Sequence, residues 1–101
     1  MQDLEVSLDA LSPGSAGDYV VVDVREPQEI ASLPLQPRAH LQIALAQLLS
    51  DHAALDPRHK YLLVCARGSR SRAAAEHLRE HGFGQVYSLR GGVLGLSRRA
   101  G

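Results

Sequence analysis

The stretch Tyr19-Val20-Val21-Val22-Asp23-Val24 is apolar apart from Asp23 and rich in β-branched valine, and it lacks the alternation of a half-exposed strand. Such a run predicts a strand buried on both faces, as in a parallel sheet. Tyr61-Leu62-Leu63-Val64-Cys65 repeats the pattern, and Gln85-Val86-Tyr87-Ser88-Leu89 reads as a further strand. Shorter strands are expected at Leu4-Glu5-Val6-Ser7 and Ala39-His40-Leu41. Between them the period changes. Leu8-Asp9-Ala10-Leu11 suits one helical turn with Ser7 as N-cap, closed by the turn chemistry of Ser12 to Gly17. Pro27 suits the first turn of a short helix through Glu29 and Ile30, and the prolines in Leu33-Pro34-Leu35-Gln36-Pro37 exclude regular structure there. Leu45, Leu48 and Leu49 keep helical spacing until Asp51, and Pro57 breaks the chain again. A longer helix is predicted from Ser71 to His81, stopped by Gly82. Gly91-Gly92 reads as a turn and Val93 to Arg99 as a terminal helix. Strands alternating with helices predict an α/β domain with a mainly parallel sheet.

With 101 residues, positions 1–101 are expected to form a single domain, and no internal repeat or linker divides them. Hydrophobic residues make up 45% of the chain but aromatic ones only 4%, with no Trp, so the core must be aliphatic. Eleven basic and eleven acidic residues cancel, so no global field favours nucleic acid or an anionic membrane. Apolar stretches such as 43–49 are too short to span a bilayer and Met1-Gln2-Asp3 starts no signal peptide, which makes a cytoplasmic protein the expectation.

The single cysteine changes the picture. Cys65 cannot form an internal disulfide or build a cage of thiolates, so it is either a small buried hydrophobe or a reactive thiol. It stands at the junction of a strand, a polar loop and a helix, and ligands of open α/β sheets bind beyond the carboxyl ends of the strands. In Ala66-Arg67-Gly68-Ser69-Arg70-Ser71, Gly68 lets the backbone curl so that successive amides can face the sulfur, and the helix start adds partial positive charge. Arg67 and Arg70 push the same way, and the thiol is expected to ionise below the roughly 8.5 of a free cysteine. A short ring of inward-facing amides should therefore keep an exposed sulfur anion at residue 65.

Cys65-Ala66-Arg67-Gly68-Ser69-Arg70-Ser71 resembles the C-x-x-G-x-R-S active-site loop of the rhodanese family. Upstream, Asp23-Val24-Arg25-Glu26-Pro27-Gln28-Glu29 resembles the family's D-V-R-x-x-x-E segment, and Gly91-Gly92 its terminal double glycine. The resemblance implies a central five-stranded, mainly parallel sheet flanked by helices on both faces. It also implies a cofactor-free sulfurtransferase: Cys65 takes a sulfane sulfur from a small anionic donor such as thiosulfate, and the persulfide passes it to cyanide, a thiol or a carrier protein. Loop amides would stabilise the persulfide, and Arg67 and Arg70 would orient the donor. Asp23, Arg25, Glu29, Gly91 and Gly92 are read as structural support, with an exposed ion pair between Arg25 and Glu29 across the helix start.

The chain departs from the family pattern at Arg38-Ala39-His40-Leu41-Gln42-Ile43-Ala44, where a His-x-x-Gly-Ala stretch is usual, and at Gly95-Leu96, which replaces Ala-Trp. The first region is similar to that of rhodanese domains fused to the adenylating enzymes that activate ubiquitin-like sulfur carriers, which implies a protein acceptor as one option. Two rival readings remain. A phosphatase or arsenate reductase needs Arg six residues after the cysteine, a position held here by Ser71. A silent binding module would keep the fold without the chemistry. His77 and His81 are assigned to a solvated helix face, and no residue is assigned to a metal.

Overall fold

The computed structural model describes residues 4–6, 19–35, 41–51 and 55–95. Its elements are β1 (Glu5–Val6), β2 (Val20–Asp23), α1 (Pro27–Ser32), β3 (Leu41–Gln42), α2 (Leu45–Ser50), β4 (Tyr61–Val64), α3 (Ser69–Glu80) and β5 (Val86–Leu89). The expectations for Ser7 to Gly17, for Ala39-His40 and for the chain after Gly95 lie outside the described residues.

The strands form one sheet in the order β1-β5-β4-β2-β3, and every pairing among the described residues is parallel. The expected α/β architecture is thus present, with a sheet that is wholly parallel. Because side chains alternate along a strand, each apolar run serves two cores. Val22, Val24, Tyr61, Leu63, Cys65 and Val86 pack on one face with Leu48 of α2 and Ala74, Ala75 and Leu78 of α3. Val21, Leu62, Val64 and Leu89 pack on the other with Leu35 and Val93. This is why β4 reads as continuous apolar sequence: all of Tyr61–Val64 is buried.

Helix α3 presents Ser71, Ala74, Ala75 and Leu78 to the interior, a stripe at helical spacing. Three of these residues are small, which brings the helix close to the sheet. The helix begins two residues before the expected Ser71. Gly68, at φ 100°, turns the chain as N-cap, so Ser69 and Arg70 are already helical. At the other end Gly82, at φ 95°, follows the C-cap His81. Among the described residues no helix is long and apolar enough to cross a membrane.

Candidate active site

Cys65 follows the last residue of β4, at the carboxyl edge of the central strands, and α3 starts four residues later. The intervening loop wraps its sulfur. The amide of Gly68 donates to Cys65 Sγ at 3.1 Å and that of Ser71 at 3.3 Å. Ser71 is the third residue of α3, so its amide has no intrahelical acceptor; the sulfur supplies one. Cys65 Sγ also lies 3.4 Å from Ser71 Oγ. Burial pushes the thiol up, but the Ser71 hydroxyl and the amides of Ser71, Gly68 and Arg67 together hold it below its ordinary value.

One expectation fails. Cys65 has 0% relative exposure, so the sulfur is enclosed, although the amides do face it. The enclosure comes from the way the loop is pinned. Val93 donates its amide to Cys65 O at 2.9 Å and Leu94 to Ala66 O at 3.0 Å, folding the segment after β5 over the loop. Gly92 makes that approach sterically feasible: it sits at φ 60°, and a Cβ there would overlap the carbonyl oxygens of Cys65 and Ala66. Gly92 therefore shapes the cysteine loop itself, beyond forming a turn with Gly91.

The acidic and basic residues also pair differently from expectation. Arg25 does not bridge to the Glu29 carboxylate, and it is not exposed. Its Nε lies 2.9 Å from Asp23 Oδ1 and its Nη2 2.7 Å from Asp23 Oδ2, with both residues buried. Its Nη1 donates to the backbone carbonyls of Leu33 at 2.7 Å and Glu29 at 3.3 Å. A planar guanidinium fork suits the carboxylate two residues before it and ties down the end of α1 at the same time. Glu29 instead accepts from Arg70, the loop arginine expected to hold a donor: Nη1 to Oε1 is 2.9 Å and Nη2 to Oε2 2.8 Å. This pair, with the Glu26 backbone, holds the Glu29 carboxyl down to about 2. Arg67 and Ser69 are exposed and Ala66 is half-buried, so Arg67 is the loop cation turned to solvent.

Sequence reasoning missed Ser88. It is fully buried on β5 and its Oγ lies 2.6 Å from Ser71 Oγ. The only local signal was a hydroxyl residue within an otherwise apolar strand. Among the described residues, cavities border the loop on two sides. One, of about 610 Å³, is lined by Arg67, Gly68, Ser69, Arg72 and Glu76, and the other, of about 350 Å³, by Arg25, Glu29, Leu33, Ala66, Val93 and Leu94 among others. His77 and His81 stack with ring centroids 4.2 Å apart, and no group of three or more His, Cys, Asp or Glu that could hold a metal occurs among the described residues.

A parallel α/β sheet with a cysteine at the carboxyl edge of its central strand, the sulfur met by backbone amides of the loop that follows, defines the class of domain. Within that class the chain belongs to the rhodanese-like domain family, whose profile matches residues 8–98. It is 37% identical over 75 residues to the thiosulfate sulfurtransferase GlpE of Coxiella burnetii, covering 74% of this chain and 68% of that protein. It is 36% identical over 69 residues to the tRNA sulfurtransferase of Haemophilus influenzae (strain PittGG), covering 66% of this chain but only 14% of that much longer protein. The crystal structure of a rhodanese-related protein from Thermoplasma volcanium superimposes with a TM-score of 0.81 at 27% identity, covering 94% of this chain and 91% of that one.

Proposed function

We propose that this domain is a sulfurtransferase in which Cys65 carries the transferred sulfur as a persulfide. The observation that supports this best is the convergence of the Gly68 and Ser71 amides on Cys65 Sγ, two donors that favour a sulfur anion. In the first half-reaction the Cys65 thiolate attacks the outer sulfur of thiosulfate; the new sulfur–sulfur bond forms as the old one breaks, and sulfite leaves with the electron pair. In the second, a nucleophile such as cyanide or a thiolate takes the terminal sulfur and returns Cys65 as thiolate. With Cys65 the sole cysteine, the acceptor comes from outside the chain, as a small thiol or a carrier protein. Thiosulfate is the donor to test first, because GlpE, a relative most of whose length this chain covers, bears its name. A reducing compartment such as the cytoplasm suits chemistry that needs this thiol free.

Cys65 is enclosed, and the exposed Arg67 guanidinium two residues on is the loop cation placed to attract an anionic donor. The same enclosure, together with the engagement of Arg70 by Glu29, favours the second reading, a silent binding module. Intact mass spectrometry separates the two. The sulfurtransferase gains one sulfur atom on incubation with thiosulfate or a protein persulfide and loses it to cyanide, and Cys65→Ser gains none. A wild-type chain that takes up no sulfur from either donor leaves the binding module standing.

A further inference from the structure

Beneath the cysteine loop two buried hydroxyls share one carbonyl. Ser71 Oγ lies 3.2 Å and Ser88 Oγ 3.3 Å from Gly68 O, and the two hydroxyl oxygens are 2.6 Å apart. Both residues have 0% relative exposure. So short an oxygen–oxygen contact carries a proton between its partners, contributed by one side or the other. When Cys65 is a thiol, its own proton can point at Ser71 Oγ, leaving the Ser71 proton for Gly68 O or Ser88. When the sulfur is an anion it has no proton to give and needs one. The Ser71 proton then turns to Sγ, and the short contact is filled only if Ser88 donates to Ser71 Oγ.

From this geometry we propose that Ser88 is a positioning residue that acts through Ser71, donating to its oxygen and so directing the Ser71 hydroxyl proton at the Cys65 sulfur whenever that sulfur is anionic. A hydroxyl that itself accepts a hydrogen bond is a stronger donor, so the pair serves the sulfur better than Ser71 alone. Resting on the sulfurtransferase reading, the device matters twice: Sγ is an anion as attacking nucleophile and again as the leaving group when the acceptor takes the outer sulfur. Strand parity explains why β5 can supply it. Ser88 is two residues after Val86, which packs on the α3 face, whereas Leu89 packs on the opposite face. The charged group acting on the sulfur from α3 is Arg70, itself paired with Glu29 of α1, and at the end of β2 Asp23 and Arg25 are paired with each other. The side-chain hydrogen bonds of these two arginines go to Glu29, to Asp23 and to the carbonyls of Glu29 and Leu33, not to Sγ.

The test follows the ultraviolet absorbance of the thiolate and the rate of iodoacetamide alkylation against pH in the full chain. Ser88→Thr and Ser88→Val add similar bulk and differ in the hydroxyl, so their comparison separates hydrogen bonding from packing. Ser88→Thr is expected to keep the wild-type titration midpoint. Ser88→Val is expected to raise it, lowering alkylation on the acid side about three- to tenfold while the alkaline plateau stays unchanged. In a Ser71→Ala background, the Thr and Val variants should titrate alike, because the effect of Ser88 passes through Ser71. Equal midpoints for Thr and Val with Ser71 present, or an undiminished difference after Ser71→Ala, overturn the proposal. Sulfur uptake by mass spectrometry is scored separately on the wild type. Its failure would remove the sulfurtransferase reading without touching the titration result, and the converse holds.

Discussion

Arg70 and Glu29, 41 residues apart in sequence, meet side by side through two parallel hydrogen bonds of 2.9 and 2.8 Å, joining the cysteine loop's helix to α1. Each side chain remains about one-third exposed. The pair holds in check the loop arginine that family resemblance assigns to the donor. Glu29→Gln should therefore release Arg70 toward an anionic donor and lower the KM for thiosulfate by about threefold or more. The cost in stability should stay below about 1 kcal/mol, as is usual for exposed pairs. An unchanged or raised KM in a steady-state thiosulfate:cyanide assay would show that Arg70 takes no part in donor capture.

The same pair has a pH signature. Its folded-state carboxyl lies at about 2, held there by hydrogen bonds from Arg70 and the Glu26 backbone, against roughly 4.3 for an unfolded glutamate. A depressed carboxyl stabilises the fold above the unfolded value, and that contribution disappears as pH falls through the folded one. Urea denaturation of wild type and Glu29→Gln should thus differ by a constant amount above about pH 4.5 and converge as pH approaches about 2. Parallel stability curves across that window would contradict the assignment.

Cys65 combines a stabilised thiolate with complete burial, and two reagents read these properties apart. Iodoacetamide is small, and its rate should rise with pH to a midpoint below the roughly 8.5 of a free thiol. A bulky aromatic disulfide, compared with iodoacetamide and normalised to an unfolded thiol peptide, should react about tenfold more slowly or worse. Equal normalised rates would mean that the sulfur is open to solvent.

Asp23 and Arg25 are 1% and 2% exposed, so neither charge has water as a substitute partner. Asp23→Ala leaves the guanidinium buried and uncompensated, and we predict a loss of about 3–5 kcal/mol in chemical denaturation. Arg25→Lys should also be costly, since an ammonium cannot span Asp23 and the Leu33 carbonyl in the same fork. A loss below about 1 kcal/mol for Asp23→Ala would refute the structural role.

The two adjacent glycines should differ sharply. Both have positive φ, but a Cβ on Gly91 would meet only Gly95 Cα at an ordinary 3.7 Å, whereas one on Gly92 would overlap two backbone carbonyl groups. Gly91→Ala is expected to cost about 1–2 kcal/mol from its left-handed backbone alone. Gly92→Ala should cost more than that and displace the Cys65 loop, seen as a changed thiolate titration. Thermal unfolding that ranks the two variants equally would count against the close approach of Val93 and Leu94 to the loop.

Much of the domain was legible along the chain, for a local reason. Strands buried on both faces must be apolar at successive positions, so Val20–Asp23, Tyr61–Val64 and Val86–Leu89 declared themselves. Gly68 beside Cys65, with the amides and a helix start that follow, marked the loop because a chain can wrap a sulfur only where its backbone can turn. The beginning of α3 was misplaced by two residues since an N-cap glycine carries no side chain that announces it.

What pattern could not supply were the contacts made across the sheet. Helical spacing pointed Arg25 to Glu29, four residues on; in the fold it pairs with Asp23, two residues before it, and Glu29 is taken by Arg70 where α1 and α3 come together. Ser88 meets Ser71 only because β5 lies beside β4 in the strand order β1-β5-β4-β2-β3. Periodicity records which face a residue occupies, whereas partnership and enclosure depend on which segments fold back over that face. Cys65 was therefore identifiable from its neighbours in the chain, while the tertiary structure alone decided that its sulfur is sealed and that a hydroxyl pair lies beneath it.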